Sequence, residues 1–506
     1  MKTIKELRSL SKEKLIEYFL ELQAEKEKIE AEFYALQKKH NELLIEKDNL
    51  LEKNKLRAIQ IFARKTEKNN DPTIINEAEE TIASTRGRRK GEPLDTTNYL
   101  HTHYTKEIIL YPDEYSNIGS DPNVIKVGED YSYKVDYIPG KYEIIRFVKP
   151  KYFDKVSKRF YQAISDDIFP HSYWTSSLAS FIFCNKFLLG LPYYRQEKYI
   201  LNKELNITRL TMCNLQTKAS EILEPLYNHF KRTLLATPYK VICADETTLK
   251  VIDLKKTCYA WLYTTSFYDN PIYVYEFCKT REKENVKAFL NGYEGYLLSD
   301  AYSAYFDIEG VTNALCWAHA RRKFIEIVKT LSADQINESV AQQVINLMQP
   351  IFEKEAKFKE ELLLPSQIKE ARNKEDYANM VNEVFKYVKN VNPQKGSALE
   401  RAINYLLKHE NLYKTYLQDG HIDMTNNISE RAIKPFVIDR KNFLFSINSE
   451  GAKSSLIIFT LIQNARTNGI DPEAYIKYCL DNLKPDMSEE EFNEFLPWNL
   501  KENKIL

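Results

Sequence analysis

The segment from residue 239 to residue 330 constrains the fold of this chain more than any other. It contains β-rich runs at 239–245, 257–265 and 271–278, a helical pattern at 281–291, β-rich runs at 295–300 and 311–317, and a helical pattern at 318–330. Three strands in close succession, followed by strands separated by helices, predict a mixed α/β sheet.

Two aspartates directly follow apolar runs of this predicted sheet. Asp245 ends the run at 239–244, and Asp300 follows the run at 296–298, so both are predicted at strand ends. Glu430 lies near the start of a predicted helix that opens with good capping residues at 425–427. Two strand-end aspartates and a helix glutamate can hold two Mg²⁺ (or Mn²⁺) ions about 3.5–4 Å apart, an arrangement used for in-line phosphoryl transfer.

Cations and amides surround these acidic residues in the sequence. The candidates for contact with DNA or phosphate are His319, Arg321, Arg322, Asn426, Asn427, Arg431 and Lys434. Cys316 and His319 form a Cys-x-x-His pair, but no second pair accompanies it, so zinc is not expected. Glu246 should point to the opposite face of its strand from Asp245 and have a structural role.

The overall composition is that of a large intracellular protein. The chain has 506 residues, enough for several domains, and 43% of them are hydrophobic. Lys+Arg and Asp+Glu both number 72, so binding to DNA would require positive charge gathered into patches. Its seven cysteines form no Cys-x-x-Cys pair, which argues against a disulfide framework. Without a signal-peptide pattern or an 18-residue apolar run, the expectation is a cytoplasmic protein with no membrane span.

The first 65 residues carry a heptad repeat. Its apolar positions are Leu15, Leu22, Ile29, Leu36, Leu43 and Leu50. This repeat predicts a coiled coil over residues 1–65 and a homo-oligomer formed through residues 15–50. The alternative is an amphipathic helix that packs on its own chain.

The region between this repeat and the predicted sheet has two parts. Residues 66–155 are predicted to form a basic linker and a small β-rich module. Arg86, Arg88 and Arg89 could neutralise DNA phosphates there, or could simply be solvated. Residues 156–236 are predicted to be helical. They could form a helix-turn-helix with Thr208, Arg209 and Thr211 facing DNA, or an ordinary helical subdomain.

The remaining domains follow from the positions of the predicted elements. The sheet occupies 237–329, and its domain resumes at 421–468 with the helix that carries Glu430. A charged helical insertion fills 330–420, and a helical tail spans 469–506. The predicted fold is therefore an α/β sheet domain with an inserted helical domain.

Several separate strings in this chain resemble one family. They are 244–247 (Ala-Asp-Glu-Thr), 299–305 (Ser-Asp-Ala-Tyr-Ser-Ala-Tyr), 316–322 (Cys-Trp-Ala-His-Ala-Arg-Arg), 426–431 (Asn-Asn-Ile-Ser-Glu-Arg) and 440–445 (Arg-Lys-Asn-Phe-Leu-Phe). The strings at 61–67, 191–196 and 496–499 fit as well. With these strings in this order, the chain resembles transposases of the insertion-sequence-sixty-six family, which are Asp-Asp-Glu (DDE) transposases.

The resemblance implies an RNase H-like catalytic fold and a function for the chain. By matching position, Asp245, Asp300 and Glu430 would be the catalytic triad and the ligands of the Mg²⁺ or Mn²⁺ ions. The chain would bind the terminal inverted repeats of an insertion sequence, cleave the strands and join them to target DNA. It also implies double-stranded DNA and small accessory proteins of the element as partners, and association with the nucleoid during activity.

Two departures from the family pattern concern residues near these motifs. Residues 96–150 contain no cysteine, although members usually carry a cysteine zinc-binding module there. Thr425 replaces the aspartate that precedes the two asparagines. Two rivals stay open: an RNase H-like nuclease that cuts without joining, and a former transposase that binds DNA without cutting.

Overall fold

The computed structural model describes residues 172–202, 205–484 and 486–500, the shorter stretches 142–146, 151–154, 159–162 and 168–169, and the single positions 12, 14, 28, 39 and 140. The chain divides into two compact units. One comprises residues 1–68, 165–200 and 206–506, and the other comprises 69–164 with 201–205. Apart from those single positions, the predicted coiled coil lies outside the described residues, as do Arg86, Arg88 and Arg89.

The described part of the second unit contains one pair of strands. Strand β1 (Lys151–Asp154) pairs antiparallel with β2 (Arg159–Gln162), with Lys151 opposite Gln162. The domain boundary predicted at residue 155 therefore falls between two paired strands. The β-rich region continues to Gln162, inside the range 156–236 that was predicted to be helical.

In the described part of the chain, three helices of known extent precede the sheet: α1 (Ser176–Phe187), α2 (Tyr193–Leu201) and α3 (Arg209–Leu235). Thr208 caps α3, and its hydroxyl accepts the N–H of Thr211 at 3.2 Å. Thr208 and Arg209 are exposed, whereas Thr211 is half-buried. The helix-turn-helix hypothesis stays a prediction.

A five-stranded mixed sheet lies at the centre of the first unit, which confirms the predicted mixed α/β class. Its strands are β3 (Val241–Val251), β4 (Lys256–Thr265), β5 (Tyr273–Cys278), β6 (Gly295–Ser299) and β7 (Val311–Leu315). They lie in the order β5-β4-β3-β6-β7, with β3, β4 and β5 antiparallel and with β6 and β7 parallel to β3. Helix α4 (Lys283–Phe289) connects β5 to β6, and a short 3₁₀ turn (Ser303–Tyr305) precedes β7.

The prediction that Asp245 ends its strand is wrong. Strand β3 continues six residues further, to Val251, and stays paired with β4 until Val251 faces Lys256. Beyond Asp245 three polar residues come first, and exposed and buried positions then alternate to the end of the strand, so no continuous apolar run marks this half. The ladder between β3 and β6 does stop at Cys243, two residues before Asp245.

The outer edge of β5 is covered by side chains that take the place of another strand. Asn464 accepts the N–H of Tyr273 at 3.0 Å and donates to its carbonyl at 2.7 Å. Thr460 accepts the N–H of Tyr275 at 3.1 Å. Both polar residues belong to helix α13 (Ser449–Thr467), which packs along β5. This edge is therefore closed to further strand pairing.

The helical insertion follows β7. Its helices are α5 (Trp317–Val328), α6 (Ala333–Ile336), α7 (Val340–Glu360), α8 (Pro365–Arg372), α9 (Glu375–Lys389), α10 (Ala398–Leu407) and α11 (Glu410–Tyr413), followed by a 3₁₀ turn (Thr415–Leu417). Its core is continuous with one face of the sheet: Met348 and Phe385 belong to the same apolar cluster as Val241, Cys243 and Leu298. The insertion is thus packed onto the sheet.

Helix α12 (Asn427–Phe443) carries Glu430 back to the sheet, and α13, α14 (Pro472–Asn482) and α15 (Glu489–Asn493) complete the unit. Helices α14 and α15 lie within the predicted helical tail, and α15 packs on α3. Among the described helices none combines the length and apolar character needed to span a bilayer.

Candidate active site

Asp245 and Asp300 lie at equivalent positions relative to two adjacent parallel strands, Asp245 within β3 and Asp300 one residue beyond the end of β6. In the β3–β6 ladder Cys243 pairs with Leu298, an offset of 298 − 243 = 55 residues. The same offset separates the two aspartates, because 300 − 245 = 55. Residues in register on parallel strands point to the same face of the sheet. The two aspartates therefore belong to one face, just beyond the end of this ladder.

Burial and neighbouring negative charge act together on Asp245. Burial, then the carboxylate of Glu246, and then those of Glu430 and Asp300 raise the pKa of Asp245 to about 8. The backbone N–H of Glu246 donates to Asp245 Oδ1 at 2.9 Å and opposes part of this shift. A carboxyl group in this state carries a proton near neutral pH, and a positive charge placed beside it would release that proton.

The start of helix α12 is fixed against the sheet by Asn426, which is buried. Its Nδ2 donates to the carbonyl of Ala244 at 2.8 Å, one residue before Asp245. The backbone N–H of Asn426 donates to Cys316 Sγ at 3.1 Å, and the N–H of Trp317 donates to the carbonyl of Met424 at 3.1 Å. These bonds attach the first turn of α12 to strand β3 and to the start of α5.

Glu430, in the first turn of α12, directs its carboxylate toward a guanidinium and an imidazole. It lies 3.2 Å from Arg322 Nη2 and 3.5 Å from His319 Nδ1. Burial lowers the pKa of His319, and Arg322 lowers it further, although the negative charge of Glu430 opposes both. To share a cation with Asp245 and Asp300, the Glu430 side chain would have to rotate away from this pair.

One further group of potential metal ligands lies at the same place. Cys316, His319 and Glu430 each offer a ligand atom, and these atoms lie within 4.8 Å of one another. Sequence reasoning missed this group because Glu430 comes from a different helix, far along the chain. Burial raises the pKa of the Cys316 thiol to about 12, and its sulfur already accepts the N–H of Asn426. A protonated thiol is a poor metal ligand.

Glu246 faces the other side of β3, as strand alternation predicts. Its side chain is only 5% exposed and forms an ion pair with Arg281, whose Nε donates to Oε1 at 2.8 Å. The Tyr305 hydroxyl donates to the other carboxylate oxygen. Arg281 also stacks on Tyr302, with its guanidinium 3.7 Å from the ring centroid. Glu246 is thus already fully occupied by structural contacts.

Two family models match this chain. The family model described as "Transposase IS66 family" matches residues 171–454, and the "IS66 C-terminal element" matches residues 460–498. The chain belongs to the IS66 transposase family. The family predicted from the sequence motifs is thereby confirmed.

Similar full-length proteins occur in Sinorhizobium fredii. The uncharacterized protein y4qI is 29% identical over 413 residues, which cover 75% of this chain and 73% of the relative. The uncharacterized protein y4jD is 25% identical over 445 residues, covering 83% of this chain and 85% of the relative.

The residues predicted to bind phosphate in this IS66-family protein differ in their exposure to solvent. Arg322, Arg431 and Lys434 are exposed, and Asn427 is half-buried. Arg321 instead points into the insertion, is 3% exposed, donates to Gln349 and lies over the ring of Phe352.

Burial therefore corrects two of the predicted phosphate contacts. Arg321 packs inside the insertion, and Asn426 is 1% exposed with its amide bonded to Ala244. Neither side chain is accessible to DNA in this structure. Their contacts are those of residues that hold the site together.

Two residues at the site were not found by sequence reasoning. Arg281 neutralises Glu246 behind the site, and the hydroxyl of Tyr405 accepts the N–H of Ala301 at 3.2 Å, next to Asp300. Both contacts join residues far apart in the sequence, and no local pattern indicates them. The pairing of Arg281 with Glu246 could have been suspected only from a buried glutamate in a strand, which requires a partner.

Proposed function

We propose that this protein is the DNA transposase of an insertion sequence. It binds the terminal inverted repeats and catalyses metal-dependent strand cleavage and strand transfer through Asp245, Asp300 and Glu430. The observation that carries the proposal is the shared register of the two aspartates beside a helix that is bonded to Ala244. The raised pKa of Asp245 supports it: burial is its main cause, and the carboxylates of Glu246, Glu430 and Asp300 add to it.

We also propose that the sheet domain is RNase H-like. Its support is the five-stranded mixed sheet, interrupted between its last strand and the Glu430 helix by a helical insertion. This is the arrangement that the family resemblance implies.

Asp245, Asp300 and Glu430 fit a hard divalent cation, Mg²⁺ or Mn²⁺. They are oxygen donors, and a positive charge would offset both the burial and the neighbouring negative charge that raise the pKa of Asp245. When bound, such ions supply a nucleophilic oxygen at neutral pH and neutralise charge on the leaving oxygen. Zinc is not proposed, because Cys316 is committed to anchoring Asn426.

The residues of the chain have three tasks in this account. Asp245 gives up its proton when the site is loaded. Glu430 would leave its contact with Arg322 and join the aspartates in holding the cation. This movement would free the Arg322 guanidinium to bind a DNA phosphate. His319, Arg431 and Lys434, with Asn427, would hold the neighbouring phosphates.

We also propose binding partners and a cellular location for this protein. We expect double-stranded DNA at the element ends and at the target, with Arg86, Arg88 and Arg89 adding phosphate contacts. We expect a homo-oligomer through residues 15–50, accessory proteins of the element, and a cytoplasmic protein that joins the nucleoid while active.

The test is cleavage and joining of DNA that carries the element's terminal repeats, in Mn²⁺ and in EDTA. The proposal predicts metal-dependent nicking at the repeat boundary and joining to a target duplex, both lost in Glu430→Gln. Cutting without joining would favour an RNase H-like nuclease. Binding without cleavage, even with the accessory proteins present, would indicate a protein that only binds DNA.

A further inference from the structure

The end of helix α12 presents apolar side chains to solvent in an unusual backbone conformation. Leu444 has φ +66° and ψ −41°, and the N–H of Phe445 donates to the carbonyl of Phe443 at 2.8 Å. This is a γ-turn of the rare, strained hand. Leucine is a costly residue at positive φ, where glycine or asparagine is usual. Leu444 is nevertheless 63% exposed, so burial of its side chain does not offset the strain.

Backbone hydrogen bonds hold the chain firmly just after this turn. The N–H of Ser446 donates to the carbonyl of Lys250 at 2.9 Å, and the N–H of Ile252 donates to the carbonyl of Ser446 at 3.0 Å. The N–H of Asp253 then donates to the carbonyl of Ile447 at 2.9 Å. Residues 446–447 therefore extend the sheet beside the far end of β3, and the turn is rigidly presented.

Strand alternation gathers the exposed side chains onto one face. Val251 forms a parallel bridge with Ser446, so Phe445 and Ile447 share the opposite face with Lys250 and Ile252. Those three apolar side chains are exposed: Phe445 by 41%, Ile447 by 61% and Ile252 by 42%. Leu444 directly precedes Phe445 in the chain, and Lys441 lies three residues earlier, in the last turn of α12. We call Lys250, Ile252, Lys441, Leu444, Phe445 and Ile447 the turn surface.

The charge around the turn surface is positive. The turn at 250–256 carries Lys250, Lys255 and Lys256, all exposed, against the single carboxylate of Asp253. On α12, Arg440 and Lys441 precede the turn, and Arg440 Nη1 donates to Thr248 Oγ1 at 2.6 Å. Exposed apolar side chains among lysines match a DNA duplex, because the lysines can neutralise phosphates while the apolar groups contact sugars and base steps.

The turn surface is connected to the candidate active site through two elements. Strand β3 leads from Asp245 to Val251 in six residues, roughly 20 Å. Helix α12 leads from Glu430 to Phe443 in thirteen residues, again roughly 20 Å. A duplex that follows these elements from the carboxylates would reach the turn surface about six base pairs from the reacting phosphate.

We propose that the turn surface docks the DNA duplex that flanks the cleavage site, with Leu444 and Phe445 as apolar wedges and Lys250 and Lys441 on the phosphates. This inference rests on the proposed transposase function, and it adds the surface on which the DNA substrate is held. The strained γ-turn keeps the two wedge side chains outside the protein core.

The test uses the full-length chain and a mixed-sequence duplex of about four helical turns, with affinity measured by fluorescence anisotropy at several salt concentrations. Phe445→Ala and Leu444→Gly should each weaken binding about tenfold without changing the salt dependence. Lys441→Ala should reduce the slope of log affinity against log salt by about one. Tyr173→Ala removes an exposed aromatic side chain that precedes α1, roughly 18 Å along that helix from Lys186 and its contact with Phe443, and should bind like wild type.

Folding and the proposed chemistry are controlled separately. Leu444→Gly relieves the strain, so its unfolding temperature should be no lower than that of wild type. Normal DNA affinity in Phe445→Ala and Leu444→Gly would overturn the inference, as would a change in solution mass without a change in affinity. If those variants bind normally while Asp245→Asn loses cleavage, only this inference fails. If Asp245→Asn still cleaves while the variants lose affinity, only the proposed chemistry fails.

Discussion

Asp245 on strand β3 and Glu355 on helix α7 of the insertion are both carboxylates removed from water. Burial alone would raise the pKa of either group. For Glu355 the effect of burial is overcome by Arg372, whose charge and hydrogen bonds bring the pKa below its ordinary value. Asp245 has further carboxylates as neighbours, and its pKa rises to about 8.

The contacts explain this difference. Arg372 binds both oxygens of Glu355, at 2.8 and 2.7 Å, and its third nitrogen donates to the carbonyls of Tyr416, Asp419 and Ile422. The insertion therefore compensates the buried charge of Glu355, and Arg372 at the same time holds the segment that leads to α12. The sheet leaves its charge uncompensated at the place where a cation is proposed. Burial does not distinguish these two carboxylates, because both are removed from water. The charge of their neighbours does: a cation beside Glu355, and further carboxylates beside Asp245.

The largest expected effect is the loss of activity in Asp245→Asn. Metal-dependent DNA cleavage should fall by about a thousandfold or more, because a cation ligand is lost while the packing is kept. Cleavage of a terminal-repeat duplex in Mn²⁺ measures this. Wild-type rates in this variant would show that Asp245 is not part of the site.

The same variant should be more stable than wild type at high pH. The folded-state pKa of Asp245 lies above its unfolded value, so the wild-type protein loses stability as the pH rises from about 4 to about 8. Asparagine has no such dependence. Asp245→Asn should therefore unfold at a higher temperature than wild type at pH 8, by a few degrees, and at the same temperature near pH 4. A lower unfolding temperature at pH 8 would contradict the uncompensated charge.

In the insertion, the loss of a charged partner should lower the stability of the protein, whereas Asp245→Asn should raise it at pH 8. Arg372→Met leaves Glu355 buried without its cation and should lower the free energy of unfolding by about 3–5 kcal/mol, measured by urea denaturation. Adding Glu355→Leu should recover much of this loss. Lys386→Ala, which breaks an exposed pair with Glu383, should change the free energy little. Equal effects of Arg372→Met and Lys386→Ala would show that the buried pair matters no more than an exposed one, and would contradict the role given to Arg372.

Asn426→Ala tests the hydrogen bond that attaches the start of α12 to strand β3. It leaves the buried carbonyl of Ala244 without its donor, at a cost of about 1–3 kcal/mol, and loosens the first turn of α12. Because Asn426 positions Glu430, kcat should fall about tenfold or more with little change in KM. Asn442→Ala, on the exposed end of the same helix, is the matched control. A rise in KM alone would instead indicate direct contact with DNA.

The smallest effect is expected from Arg322→Ala. The exposed pair with Glu430 contributes little to stability, so the unfolding temperature should hardly change. If Arg322 turns to a phosphate when DNA binds, the slope of log affinity against log salt should drop by about one. An unchanged slope would show that Arg322 does not contact DNA.

The sheet was predictable from the sequence because each strand carries its own apolar pattern. The predicted runs at 257–265 and 295–300 match β4 and β6 to within one residue. The far half of β3 escaped prediction because no continuous apolar run marks it. The buried positions of Arg321 and Asn426 also escaped prediction, because both depend on partners more than 25 residues away. Local sequence indicates the type of an element, whereas the direction of a polar side chain at its end is set by tertiary contacts.

The most direct test of the shared carboxylate site is a crystal of the full-length protein soaked in Mn²⁺, with the ions located by anomalous scattering. The account predicts two peaks, about 3.5–4 Å apart, coordinated by Asp245, Asp300 and a Glu430 side chain that has turned away from Arg322. A single peak bound by Cys316, His319 and Glu430, with none at the aspartates, would contradict it.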